Sequence, residues 1–295
     1  MSDTVSPEVA EPSVSSAPPA PTEVKVPTTF KPILVSEIYV CTQGEGVLIG
    51  TPSVLVRTST CNLRCRWKDP ATGSLNICDT PFTSWNPDMN NPMQIQQIYD
   101  EVIKLATTDE KGGKRKNPIL HTIISGGEPT LWGTELSELV LGLVISGMHV
   151  TIETNGTKYV EINTRQKLKN KQTVDLTDRV LFSISPKLES STPFGSPFEK
   201  EHKKQRYNPV VLEALLKRYP SYLKFVISSE DDLKEVKEIQ KELKVPNGRI
   251  FLMPEGITRD EIARHGAKTN ELAIEHGYRY SPREHIVLYD NKRKT

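Results

Sequence analysis

The chain predicts an α/β fold in which a mainly parallel sheet is covered by helices. Two observations carry that expectation. Short apolar runs of strand length alternate with longer stretches whose apolar residues recur at helical spacing, the order that builds parallel sheets. Polar residues with chemical potential gather where the apolar runs stop, and such sheets place their function at the carboxyl ends of strands. Periodicity leaves open whether the sheet closes into a barrel.

Residues 1–29 are rich in Pro, Ser, Ala, Val and Glu without a periodic apolar face. Such a segment buries too little surface to offset the entropy of ordering, so a disordered extension is expected ahead of one domain, residues 30–295. The domain opens with a strand at 33–40 that enters Gln43-Gly44-Glu45-Gly46. A second, 53–58 (SVLVRT), alternates and leads into a cysteine-bearing loop. Residues 94–106 place Ile95, Ile98, Val102 and Leu105 on one helical face. A strand at 120–125 ends in Gly126-Gly127-Glu128-Pro129, a turn signature. A helix at 135–146 precedes a strand at 150–153, which ends in Thr154-Asn155-Gly156. The strand at 180–185 breaks at Pro186-Lys187, and the long loop 189–208 has no assigned structure. Helix 209–219, strand 222–227, charged helix 231–243, strand 250–253 ending at Pro254, helix 258–276 and a last strand at 285–289 complete the order.

The 295 residues carry 38 Lys and Arg against 37 Asp and Glu, which gives no argument for nucleic-acid binding. The basic cluster at 111–116 (KGGKRK) reads as a solvated loop. No apolar run is long enough to span a membrane, and the acidic, Pro-rich start lacks the regions of a signal peptide. A cytoplasmic setting is expected, where thiols stay reduced.

Three of the four cysteines fall in one stretch, CNLRCRWKDPATGSLNICDTPFTSW. Cys61 and Cys65 share a tight loop, and Cys78 returns after an excursion. Three thiols suit an iron–sulfur cubane with one open iron; a structural zinc site completed by a distant His is the alternative. Cys41 reads as a small hydrophobe in a strand. The excursion at 68–77 holds turn formers and small residues, which points to a passive surface loop whose removal is harmless. Arg66 and Lys68 offer a second reading, a basic patch for an acidic electron donor.

The C-x3-C loop and CDTPFTSW, with QGEG upstream and GGEPT downstream, resemble the radical S-adenosylmethionine superfamily and, within it, the 7-carboxy-7-deazaguanine synthase family. The match runs in order from about residue 35 to 293. The departure is the insertion at 68–77, where the superfamily spaces its cysteines C-x3-C-x2-C.

The resemblance implies an incomplete, six-stranded barrel. It implies a [4Fe-4S] cluster on Cys61, Cys65 and Cys78, S-adenosylmethionine, and Mg2+ on Thr80. The cofactor cradle would comprise Ile77, Cys78, Asp79, Gly126, Gly127, Glu128, Glu153, Ser185, Pro186, Lys187, Met253, Pro254, Glu255 and Gly256. Substrate contacts would come from Thr42, Gln43, Gly44, Glu45, Arg57, Ser125 and the terminal Thr295. Arg57 suits a substrate carboxylate by bidentate geometry. The implied reaction converts 6-carboxy-5,6,7,8-tetrahydropterin to 7-carboxy-7-deazaguanine with loss of ammonia, fed by a flavodoxin- or ferredoxin-type donor, in a homodimer without nucleic acid or membrane. An activase acting on a partner protein and a non-catalytic zinc module are the competing readings.

Overall fold

The structure, a computed structural model, describes residues 20–21, 24–26, 29–167, 173–290 and 292–294. Its strands are β1 (Ile33–Thr42), β2 (Pro52–Thr58), β3 (Arg66–Lys68), β4 (Leu75–Ile77), β5 (Pro92–Met93), β6 (His121–Gly126), β7 (His149–Thr154), β8 (Arg165–Lys167), β9 (Thr173–Asp175), β10 (Val180–Ile184), β11 (Ser221–Ile227), β12 (Ile250–Pro254) and β13 (Arg279–Tyr280). Its helices are α1 (Ile95–Thr107), α2 (Gly133–Ile145), α3 (Glu199–Gln205), α4 (Pro209–Arg218), α5 (Asp232–Leu243), α6 (Arg259–His276) and α7 (Glu284–Tyr289).

Among the described residues the main sheet has nine strands in the order β13-β12-β11-β10-β7-β6-β2-β1-β5. From β2 to β13 every neighbouring pair is parallel, whereas β1 lies antiparallel between β2 and β5. The sheet is thus large and mostly parallel, and it exceeds the expected six strands because β1, β5 and β13 extend its two ends. β6 and β12 are buried along nearly all of their length, as strands covered on both faces must be.

The helices form where local chemistry starts and stops them. α1 buries Ile95, Ile98, Tyr99, Val102 and Ala106 along one face and opens where the Gln97 side chain accepts from the Gln94 amide (2.8 Å). α6 opens on the Thr258/Glu261 box and ends at Gly277, which supplies a left-handed cap. Asn208 caps α4 ahead of a proline at its first turn.

One expectation is corrected, and two further segments can be described in part. Residues 285–289 form α7 rather than a strand: Ile286 alone is buried there, and the neighbouring apolar residues are exposed. The sheet edge is the earlier pair Arg279–Tyr280, set against Phe251 and Leu252. The loop 189–208 contains α3, and Arg206 ties it down through the Lys187 carbonyl (2.8 Å) and the Glu235 carboxylate. Much of the N-terminal segment lies outside the described residues, but Val26 is buried against the core and the Val24 and Val26 amides bond Tyr99 and Gln96 on α1. Among the described residues no helix is long and apolar enough to cross a membrane.

Phe182 of β10 is fully buried and its ring lies 4.7 Å from that of Tyr219. Phe182→Ala should therefore cost about 3–5 kcal/mol of stability, measured as a lower urea midpoint at unchanged slope.

Candidate active site

One pocket opens at the carboxyl ends of the parallel strands. β2 contributes Arg57; β6 and its following turn contribute Ser125, Gly126 and Gly127; β7 contributes Glu153, with Asn155 just beyond. Ser185 and Lys187 follow β10, Lys224 lies on β11, and Met253 and Glu255 stand at the end of β12. β1 and its turn add Thr42, Gln43, Gly44 and Glu45, while the cysteine loop supplies Cys61, Cys65, Ile77, Cys78, Asp79 and Thr80. Residues spread from 37 to 294 thus meet in one cavity because the parallel strands end side by side. Glu128, Pro186, Pro254 and Gly256 do not line it, and Thr295 lies outside the described residues.

The cysteines are brought together by β3 and β4. These strands pair antiparallel, Arg66 opposite Ile77, Trp67 opposite Asn76 and Lys68 opposite Leu75. The next rung is the Cys78 amide donating to the Cys65 carbonyl at 3.2 Å. The excursion is therefore a hairpin that returns the chain to its start, so the interval between the two cysteines closes at little entropic cost. All of the thiols are free. Burial pushes Cys61 up to about 12, with Glu128 adding to the effect, and pushes Cys65 and Cys78 upward as well. The Leu63 amide lies 3.4 Å from Cys61 Sγ, and Thr80 Oγ1 lies 3.3 Å from Cys78 Sγ. Cys41 also faces the pocket, half-buried, near Glu153 and Arg57 rather than the other thiols, and burial raises it to about 12.

The two glycines of the GGEP turn are required by the cysteine loop itself. A Cβ on Gly126 would stand 2.1 Å from the Thr58 carbonyl oxygen, and one on Gly127 would stand 1.8 Å from that of Thr60. In this close approach Gly127 N donates to Thr58 O (3.1 Å) and Glu128 N to Thr60 O (2.8 Å). Glu128 points away from the cavity. Its fully buried carboxylate accepts from Thr130 N (3.1 Å), Thr130 Oγ1 (2.7 Å), Thr154 Oγ1 (2.6 Å) and Asn155 N (2.6 Å), so it clasps the end of β6 to that of β7.

Charge is concentrated at the turn after β1. Glu45 is paired with Lys224 of β11 and with Arg283 Nε (3.2 Å). Arg283 also bonds the Asp79 carboxylate and the Gly256 carbonyl. Burial alone would push Glu45 up, but Lys224, Arg283 and His285 hold it well below the ordinary carboxylate range. Across the pocket Glu153 receives Gln43 Nε2 (3.1 Å) and Ser125 Oγ (2.7 Å). Arg57 gives Nε to Glu37 (2.7 Å) and Nη2 to Tyr39 (3.2 Å), and Arg293 reaches the other oxygen of Glu37 (3.0 Å).

This cysteine and strand-end geometry sits in a chain with close relatives. It is 34% identical over 274 residues to the 7-carboxy-7-deazaguanine synthase of Halobacterium salinarum, covering 88% of this chain and 92% of that protein. The synthase of Rhodopirellula baltica is 33% identical over 268 residues, covering 89% of each. The chain belongs to the 7-carboxy-7-deazaguanine synthase family. The crystal structure of QueE from Escherichia coli shares the fold, with a TM-score of 0.55 at 19% identity over 86% of this chain and 95% of that one. No family model matches the chain. The activity the motifs imply, formation of 7-carboxy-7-deazaguanine by a radical S-adenosylmethionine enzyme, is that of the 7-carboxy-7-deazaguanine synthase family.

Within this family member the pocket also holds residues that the sequence motifs did not single out: Glu37, Tyr39, Lys224, Arg283 and His285. One signal was available for Lys224, a lysine inside the apolar run SYLKFVI, because a buried cation must find a partner. The inserted hairpin differs from the expected passive excursion. Asp69 is fully buried and Asn76 nearly so, and both bond α6 or its start.

Gly127→Ala should displace the cysteine loop, lowering the thermal midpoint and the iron bound on reconstitution together. Glu128→Ala leaves buried donors unpaired and should cost about 3 kcal/mol, read from denaturant unfolding. Lys224→Met should raise Glu45 and cost a similar amount, about 3 kcal/mol at neutral pH. Because Glu45 lies below its unfolded value of about 4.3, its contribution is complete above that value and is lost as pH falls through the lower folded one. The variant should show a shallower acid limb in a stability–pH series.

Proposed function

We propose that this pocket converts 6-carboxy-5,6,7,8-tetrahydropterin to 7-carboxy-7-deazaguanine, with Cys61, Cys65 and Cys78 holding a [4Fe-4S] cluster beside S-adenosylmethionine. The observation that carries the reading is the meeting of three free thiols with the residues at the ends of the parallel strands in one cavity. The chemistry of the donor set suits a cubane: Cys61, Cys65 and Cys78 line one cavity as free thiols, and N–H and O–H groups approach Cys61 and Cys78, the kind of contact that tunes a cluster's thiolates.

When bound, the cluster and S-adenosylmethionine supply the one-electron chemistry that starts ring contraction. The chain's own part is positioning. Gly126, Gly127, Glu153, Ser185, Lys187, Met253 and Glu255 form the cofactor wall in this reading. Gln43 and Glu45 present donors and acceptors to the pyrimidinone edge, and Ser125 orients Glu153. Arg57, already held by Glu37 and Tyr39, meets the substrate carboxylate with its remaining N–H groups as a pre-oriented fork. For magnesium the chain offers the Thr80 hydroxyl, because Asp79 is engaged by Arg283; substrate and water would have to complete the oxygen shell.

The reading treats the sheet as an incomplete barrel. Supporting this, the turn after β1 meets the segment after β13: Gly46 N bonds Ser281 Oγ and Glu284 N bonds the Gly44 carbonyl, each at 2.9 Å. It also takes a flavodoxin- or ferredoxin-type donor, a cytoplasmic setting and a homodimer.

The test is anaerobic reconstitution followed by product analysis. About four irons per chain and 7-carboxy-7-deazaguanine formed from the carboxytetrahydropterin are expected. Substituting any of Cys61, Cys65 and Cys78 by Ala should remove the iron, and Cys41→Ala should keep it. Arg57→Ala should lower turnover about a hundredfold or more while retaining S-adenosylmethionine binding. Stoichiometric zinc without iron, or a loaded protein that leaves the pterin unchanged, would sink the reading.

A further inference from the structure

The hairpin inserted between Cys65 and Cys78 reaches past the cysteine loop to Glu255 at the end of β12 and to α6. Asn76, 6% exposed, lies opposite Trp67 on the hairpin ladder. Its Nδ2 donates to Glu255 Oε1 (3.1 Å), with Oε2 at 3.4 Å, and to Glu261 Oε1 (3.0 Å). Both carboxylates are buried, Glu255 at 2% exposed and Glu261 at 9%. Glu261 is committed elsewhere, since its Oε2 caps α6 by accepting from Ile257 N (2.8 Å) and Thr258 N (3.0 Å). The hairpin's turn is anchored one helical turn further on: buried Asp69 accepts from Arg264 Nη2 at 3.0 Å and lies 3.6 Å from His265 Nε2. His265 Nδ1 in turn lies 2.9 Å from the Glu255 carbonyl oxygen.

We propose that Asn76 is a positioning residue for S-adenosylmethionine, acting through Glu255. This rests on reading Met253 and Glu255 as part of the cofactor wall. Two buried carboxylates side by side repel each other, and the single amide between them gives each an N–H. Without it Glu255 loses its close neutral donor. Its carboxylate then turns toward the cavity, where it opposes the carboxylate of the incoming amino-acid moiety. Asn76 belongs to the segment by which this chain departs from the C-x3-C-x2-C spacing, so the insertion adds an outer layer to the cofactor wall.

The experiment measures equilibrium binding of S-adenosylmethionine to reconstituted holoenzyme, with iron content and steady-state constants, for the parent, N76A, E255Q and the double variant. N76A is expected to weaken cofactor binding by about tenfold or more. The loss should fall on the cofactor KM rather than on kcat, with iron content kept. On the E255Q background the further effect of N76A should vanish, because Asn76 then has no charged side chain at that position to hold. Parent-like binding by N76A, loss of iron in N76A, or an undiminished penalty on the E255Q background would each overturn the proposal. A parent that does not bind S-adenosylmethionine overturns the functional reading and the proposal with it. If N76A does not accumulate as folded protein, N76S is measured in the same way and decides.

Discussion

The hydrogen bond from the Cys78 amide to the Cys65 carbonyl is the closure on which the site depends. Three thiols can serve one centre only if the chain that leaves Cys65 comes back to it. A hairpin does this whatever its length, because each rung fixes the next and the last rung sets Cys65 and Cys78 side by side. The insertion therefore changes what surrounds the third cysteine without changing where that cysteine stands.

The loop must also be held against the sheet, and there the contact is made by backbone. Gly126 and Gly127 have no side chain to separate the turn after β6 from residues 58–60, so amide and carbonyl groups meet directly. Glu128 then spends its carboxylate on β7, with buried hydrogen bonds holding the neighbouring strand end in register. The motif thus has two separable jobs. Its glycines face the cavity and the cysteine loop, and its glutamate holds strand ends.

Much of this was legible in the sequence. Apolar runs such as those of β6 and β12 read as buried strands, and the motifs at their ends named part of the pocket wall. What escaped had physical causes. Ile286-Val287-Leu288-Tyr289 is too short for periodicity to separate one helical turn from a strand. Asp69 and Asn76 look like turn formers because the groups that bury them, Arg264, Glu255 and Glu261, lie 179 to 195 residues away in sequence. Lys224 and Arg283 were passed over for the same reason, since their partner Glu45 lies in the turn after β1, 179 and 238 residues away in sequence.

The buried charges make a further point about how the two ends of the chain cooperate. Glu45 sits in the turn after the first strand, yet its partners come from β11 and from the segment before α7. Each ion pair is buried, where unpaired charge is costly, so β1 and the C-terminal segment stabilise each other only when both are in place. The same groups line the cavity. Its polar floor is therefore assembled by long-range pairing at the moment the sheet is completed, and a carboxylate held ionised between two fixed cations is oriented before any substrate arrives.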